Sequence, residues 1–218
     1  MASKKIFACF IFAIVLMICL CACETKPVLP NDAVISPNGK FAVCSHIQED
    51  LEDENGLLYS IYDVQLYDNI KSTMICTFHI VGRDFHFLWS PDSKYVTAAY
   101  SGRTWTDFSI LDIQSHSTLS VLGISEILSS FKNSGENIDY DITQDRPDPN
   151  VSPIEWSPDG ARMLVSYQLK DTEDKTQSGV FIYSLTNGTF SNLLQYSPSA
   201  DDHVDVKKPD NFIWNNVE

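Results

Sequence analysis

One phrase returns three times along the chain. Ser36-Pro37-Asn38-Gly39-Lys40-Phe41-Ala42-Val43 comes back as Trp89-Ser90-Pro91-Asp92-Ser93-Lys94-Tyr95-Val96 and again as Trp156-Ser157-Pro158-Asp159-Gly160-Ala161-Arg162-Met163, with the serines 54 and then 67 positions apart. A repeat of this length is a single supersecondary unit that cannot bury its apolar face alone, so successive copies must stack on one another. Each copy carries a turn with a mechanism. Proline presets φ at the first central position, Asp or Asn bonds to nearby backbone, and Gly or Ser follows where the chain bends most sharply.

Short apolar runs flank every turn. Phe85 to Trp89 and Pro153 to Trp156 precede it; Lys40 to His46, Lys94 to Tyr100 and Arg162 to Gln168 follow. A second hairpin lies downstream in each copy: Ser60 to Tyr67 with Thr73 to Ile80, Phe108 to Ile113 with Thr118 to Leu122, and Val180 to Leu185 with Phe190 to Gln195 across Asn187-Gly188. Four short antiparallel strands per unit is the content of a propeller blade. The Trp-Ser-Pro-Asp-Gly-Lys pattern at the first hairpin resembles the WD40-like β-propeller repeats of the TolB type. The resemblance covers about residues 32 to 196 and is weakest in the first copy, which lacks the Trp.

The expected fold is therefore all-β and propeller-like, with blades at about 32–82, 84–122 and 152–196 inside a repeat region spanning 32–218. Residues 123–150 break the pattern: Ile124, Ile127, Leu128 and Phe131 follow helical spacing, and Gly135 stands where a short helix would stop. Asn211-Phe212-Ile213-Trp214-Asn215 reads as the opening strand of a fourth repeat. Closed propellers typically have about four to eight blades, so three copies and one further strand predict an open or incomplete array.

The N-terminus carries an address. Lys4 and Lys5 precede an uncharged apolar run from Ile6 to Leu20, the layout of an export signal. At 15 residues the run is shorter than the roughly 20 a membrane-crossing helix needs. Leu20-Cys21-Ala22-Cys23 resembles the lipobox of bacterial lipoproteins, departing from it at Cys21, where that family more often has Ala, Ser or Thr. The resemblance implies cleavage between Ala22 and Cys23, removal of residues 1–22, acylation of Cys23 with chains such as palmitate, and a leader over 23–31. A plain cleaved signal and an uncleaved anchor helix are the alternatives. The expected location is the extracytoplasmic face of the cell membrane, with membrane contact through the covalent lipid.

Cleavage would leave Cys44 and Cys76 as the thiols of the folded part. Placed on strands separated by a third, they stand about 9 to 10 Å apart, beyond disulfide reach, and two buried free thiols are expected.

The full chain has 29 acidic against 15 basic side chains, a formal −14, and loss of residues 1–22 with both lysines makes it −16. Such a balance disfavours nucleic acid as a partner. Nucleophile elbow, Gly-rich phosphate loop and His-Glu-x-x-His are all missing from the sequence. His46, His79 and His86 fall on predicted strands and read as structural, while His116 and His203 read as solvated. Glu49, Asp50, Glu52, Asp53 and Glu54 precede Asn55-Gly56 at a spacing that fails the EF-hand pattern, and read as a solvated hairpin loop. No catalytic residue, metal site or cofactor is expected.

The most suggestive surface group is the loop from Ser101 to Asp107, where Arg103, Trp105 and Asp107 combine residue types enriched at binding hot spots. The alternative is that Trp105 packs under its own loop and Arg103 pairs with a nearby acid. The functional expectation is a lipid-anchored, non-catalytic binding or interaction module with an unidentified protein or small-molecule partner. The competing reading is a small extracytoplasmic hydrolase or lyase with a site where strand ends converge.

Overall fold

The structure, a computed structural model, describes residues 28–52, 58–102, 105–119, 150–170, 175–196 and 206–214. Its strands are β1 (Val34–Ile35), β2 (Phe41–Glu52), β3 (Leu58–Asp68), β4 (Thr73–Val81), β5 (Arg83–Trp89), β6 (Tyr95–Ser101), β7 (Thr106–Asp112), β8 (Ser117–Leu119), β9 (Asn150–Trp156), β10 (Arg162–Lys170), β11 (Thr176–Ser184) and β12 (Thr189–Gln195). They form three antiparallel four-stranded blades, β1 to β4, β5 to β8 and β9 to β12. The second and third blades share one parallel bridge, Thr106 opposite Asn150. The fold is all-β, as the repeat predicts, and its described sheets do not close into a ring.

The repeated turn is built the same way in each copy. Ser36, Ser90 and Ser157 are buried, and each hydroxyl does two jobs. It donates to the carboxyl or amide oxygen two residues on (Asn38, Asp92, Asp159), and it accepts the backbone N–H five residues on, from Phe41 at 3.0 Å, Tyr95 at 3.0 Å and Arg162 at 2.9 Å. The same Asn or Asp oxygen then accepts the N–H of Lys40, Lys94 or Ala161. A buried hydroxyl needs such partners, because an unmet polar group costs about 1–3 kcal/mol.

At the bend the backbone enters the left-handed region, with φ of 72° at Gly39, 60° at Ser93 and 71° at Gly160. Ser93 is not a casual substitute for glycine: its hydroxyl accepts the Asn38 N–H at 3.1 Å and so ties the second turn to the first. Gly160 is needed for space as well as for φ, since a Cβ there would lie 3.0 Å from the Asp92 carboxylate, whereas a Cβ on Gly39 would meet nothing within 4 Å. The three turns thus stack along one end of the blades.

The tryptophan before each turn joins one blade to the last. Trp89 donates its indole N–H to the Val34 carbonyl at 3.1 Å, and Trp156 donates to the Leu88 carbonyl at 3.0 Å. Both acceptors stand two residues before the serine of the preceding blade. Each ring also lies in the apolar layer between the two blades: Trp89 with Val43, Leu66, Val96 and Leu111, Trp156 with Phe108, Ile110, Met163 and Phe181. The first copy has Ile35 at this position, and Ile35 is 54% exposed.

Trp214 continues the series without a strand. Asn211–Trp214, expected to open a fourth blade, forms a turn and carries no strand over the described residues, yet Trp214 is buried against Leu164, Val180 and Ile182 on the outer face of the third blade. Its N–H goes to the Glu155 side chain at 2.7 Å, and Glu155 again stands two residues before the turn serine. Lys208 meets the same carboxylate at 2.7 Å. Covered on both faces, β11 is an unbroken apolar run through Val180-Phe181-Ile182-Tyr183; β4 leaves Met74 and Val81 about half exposed.

One further expectation is revised. Glu49, Asp50 and Glu52 do not lie in a loop: β2 continues through them because β3 offers Leu58 to Ile61 as pairing partners beyond a bulge between Ile47 and Glu49. The helix expected around Ile124 to Phe131, and Asp53 and Glu54, lie outside the described residues.

Substituting Gly160→Ala is expected to destabilise the chain clearly more than Gly39→Ala, since both meet the roughly 1–2 kcal/mol φ penalty but only the first must also displace Asp92. Trp156→Phe is expected to cost about 0.5–1.5 kcal/mol by removing one of the bonds to the Leu88 carbonyl, which keeps the bond from the Thr97 hydroxyl. Urea unfolding midpoints of the three variants check both.

Candidate functional site

The hairpin between β6 and β7 lies at the end of the blades opposite the stacked turns. It closes with the Gly102 N–H donating to the Trp105 carbonyl at 2.8 Å. A Cβ on Gly102 would lie 2.2 Å from the Trp105 ring, so only glycine lets the indole fold back over its own loop. Trp105 stands edge-on to Tyr100 at 6.0 Å and remains half-buried. The self-packing alternative therefore holds for Trp105, while part of the ring still faces solvent. Arg103 lies outside the described residues.

Asp107 shares a face with Tyr100, its partner across the β6–β7 pairing. It reaches the surface, yet packing on its inner side strips water from the carboxyl and raises it above the ordinary aspartate value. The Phe108 N–H, 2.7 Å from Oδ1, pulls the other way. Burial likewise raises the Tyr100 phenol; a hydrogen bond with Ser109 opposes this and the Asp107 charge adds to it.

From Tyr100 the aromatic contacts continue toward the first blade. Phe85 stacks on Tyr100 at 5.7 Å, and Tyr62 of β3 meets Phe85 at 4.7 Å. Tyr62, Phe85, Tyr100 and Trp105 thus make a row of half-buried rings running from one blade to the next. Beside it, β5 is irregular between Arg83 and His86, and Asp84 takes a φ of 49°, which Asp tolerates better than most residues. Its Oδ2 lies 3.3 Å from the Ser101 hydroxyl. Sequence reasoning singled out Trp105 and Asp107 as residue types in one loop and did not name Tyr62, Phe85, Tyr100 and Asp84, whose meeting depends on the packing of two blades.

The turn end carries a second depression, of about 170 Å³, lined by Asp92, Lys94, Tyr95, Asp159, Leu185 and Thr186. Its carboxylates serve the fold. At Asp92 burial would raise the carboxyl, but bonds from Lys94 and Ser90 outweigh it and hold it below the ordinary value. At Asp159 the Ser157 hydroxyl and the Ala161 N–H do the same.

Cys44 and Cys76 stand on β2 and β4 with β3 between them, and both are free; Cys44 is buried and Cys76 half-buried. Burial pushes the Cys44 thiol to about 11, with the Asp32 charge adding and a Tyr67 hydrogen bond opposing. The strand histidines are exposed instead of packed: His46 and His79 flank Asp63 across β3, and His79 Nδ1 lies 2.7 Å from the Asp63 carboxylate. Among the described residues no group of three or more His, Cys, Asp and Glu is placed to hold a metal ion, and no helix is long and apolar enough to cross a membrane.

No protein-family model matches the sequence, and no curated protein matches it significantly. Among solved structures, the chain is similar to TolB from Acinetobacter baumannii at 14% identity and a TM-score of 0.39, over 75% of this chain and 31% of that one. It is similar to the hydrazine synthase of Kuenenia stuttgartiensis at 16% identity and a TM-score of 0.37, over 80% of this chain and 52% of that one. The chain thus spans about a third of the first and half of the second.

In the native protein, iodoacetamide is expected to modify Cys76 well before Cys44, whose labelling should rise only as the pH approaches about 11. Peptide mass spectrometry after timed quenching checks the order. Stability is expected to fall as acid protonates Asp92 and Asp159: their folded-state values are lowered, so their contribution is present above the ordinary aspartate range and lost as pH drops through the lowered one. Unfolding midpoints between about pH 6 and pH 2 read this, with Asp159→Asn flattening the slope.

Proposed function

We propose that this chain is an extracytoplasmic binding or interaction module without catalytic machinery, tethered to the cell membrane by lipid on Cys23. Recognition falls to the rim of the first two blades, where the hairpin ending at Asp107 meets the aromatic row. The observation that carries this reading is the row itself: half-buried rings mounted on paired strands of two blades, open to solvent on one side. Aromatic side chains offer large contact area at small conformational cost, and rigid strands hold them in place before a partner arrives. The strongly acidic charge of the exported part keeps anionic lipid at a distance, which leaves the covalent chains as the tie to the membrane. One chain anchors marginally, at about 0.8 kcal/mol per buried methylene, and two or three anchor firmly.

The test uses the full chain in a bacterial host fed an alkynyl palmitate. The label and the membrane fraction are expected to survive Cys21→Ala and vanish in Cys23→Ala; label retained in Cys23→Ala would remove the proposed anchor. A photo-crosslinking residue at position 105 is expected to capture a discrete partner that the same residue at position 71, at the turn end, does not. Identical capture at both positions, or at neither, would sink the assignment of the rim.

A further inference from the structure

The described lysines of the first two blades gather at one end, together with acids that pair with two of them. Lys40, Lys71 and Lys94 all lie at the turn end, among or beside the stacked turns, where Lys71 pairs with Asp68 at 3.2 Å and Lys94 with Asp92 at 2.9 Å. The opposite rim is acidic. Glu49, Asp50 and Glu52 stand exposed or half-exposed at the far end of β2, and Asp84 and Asp107 stand exposed on the second blade. Among the described residues, the strong cation at this rim is Arg83, which is already engaged within the chain.

The aromatic row runs between these two acidic groups. Ring faces carry negative electrostatic potential, so they attract cations as carboxylates do, and more strongly when partly shielded from water. We propose that the Tyr62–Phe85–Tyr100–Trp105 row, flanked by Asp50 on one side and Asp84 and Asp107 on the other, docks an arginine- or lysine-bearing segment of a protein partner. This deepens the binding-module reading and rests on it. The guanidinium or ammonium group lies against the rings while its aliphatic stem covers their apolar edges. The acidic rim steers the approach, and an anionic partner is repelled by the same field. Trp105 supplies ring surface, and Asp107 supplies charge on the same face of the sheet as Tyr100.

The probe is an acetylated, amidated tetra-arginine peptide titrated into the full chain in uncharged detergent micelles, with tetra-glutamate as its counterpart. Tetra-arginine is expected to bind and quench tryptophan fluorescence, and tetra-glutamate to leave it unchanged. Trp105→Ala and Asp107→Asn are each expected to weaken tetra-arginine by about fivefold, while Asp112→Asn, which removes an equal charge at the turn end, leaves it unaltered. Asp107→Asn keeps the packing, so its result stands even if Trp105→Ala unfolds the hairpin. Absence of tetra-arginine binding, or equal loss in Asp107→Asn and Asp112→Asn, overturns the site. A partner captured at position 105 that tetra-arginine fails to displace overturns the cationic chemistry alone and leaves the binding role in place.

Discussion

The indole N–H of one blade meeting a backbone carbonyl of the blade before it holds this array together. Trp89 and Trp156 each reach back across a blade interface to a carbonyl two residues ahead of the preceding turn. The indole gives the Leu88 carbonyl a second donor beside the Thr97 hydroxyl, so the bond orients the blade while the ring fills the apolar layer around it. One side chain satisfies the backbone and supplies the packing.

That arrangement tolerates little drift, and the serine turn supplies the accuracy. With the hydroxyl, the Asn or Asp oxygen and two backbone N–H groups locked together, the tryptophan immediately before the turn has a fixed start for its side chain. Contacts between turns add to this: Ser93 binds the turn of the first blade, and Asp92 crowds the bend of the third. Carboxylates at the turn end are bonded into the repeated turns, whereas those at the opposite rim make fewer such bonds and stand exposed. The division separates the part of the molecule that holds shape from the part able to meet something else.

Most of the architecture was legible because its determinants are local. Ser-Pro-Asp-Gly chemistry, the short apolar runs beside each turn and Asn187-Gly188 each act within a few residues, and they imply most of the strands observed. What escaped notice depends on contacts between distant segments. β2 outran its expected end because pairing with β3 overrode the polar character of Glu49 to Glu52, and Trp214 reached its site without the strand that was expected to carry it. At the rim, Trp105 and Asp107 stood out as residue types in one loop. Tyr62 and Phe85 lie 23 positions apart in sequence and on different blades, and no local pattern announces that their rings touch.

The tryptophan bonds also give the array a direction. Every donor lies later in the chain than its acceptor, so a chain emerging from its N-terminus always presents a finished acceptor before the matching donor appears. Assembly in that order never has to wait for a downstream blade. The chain is thus wired to be built one blade at a time.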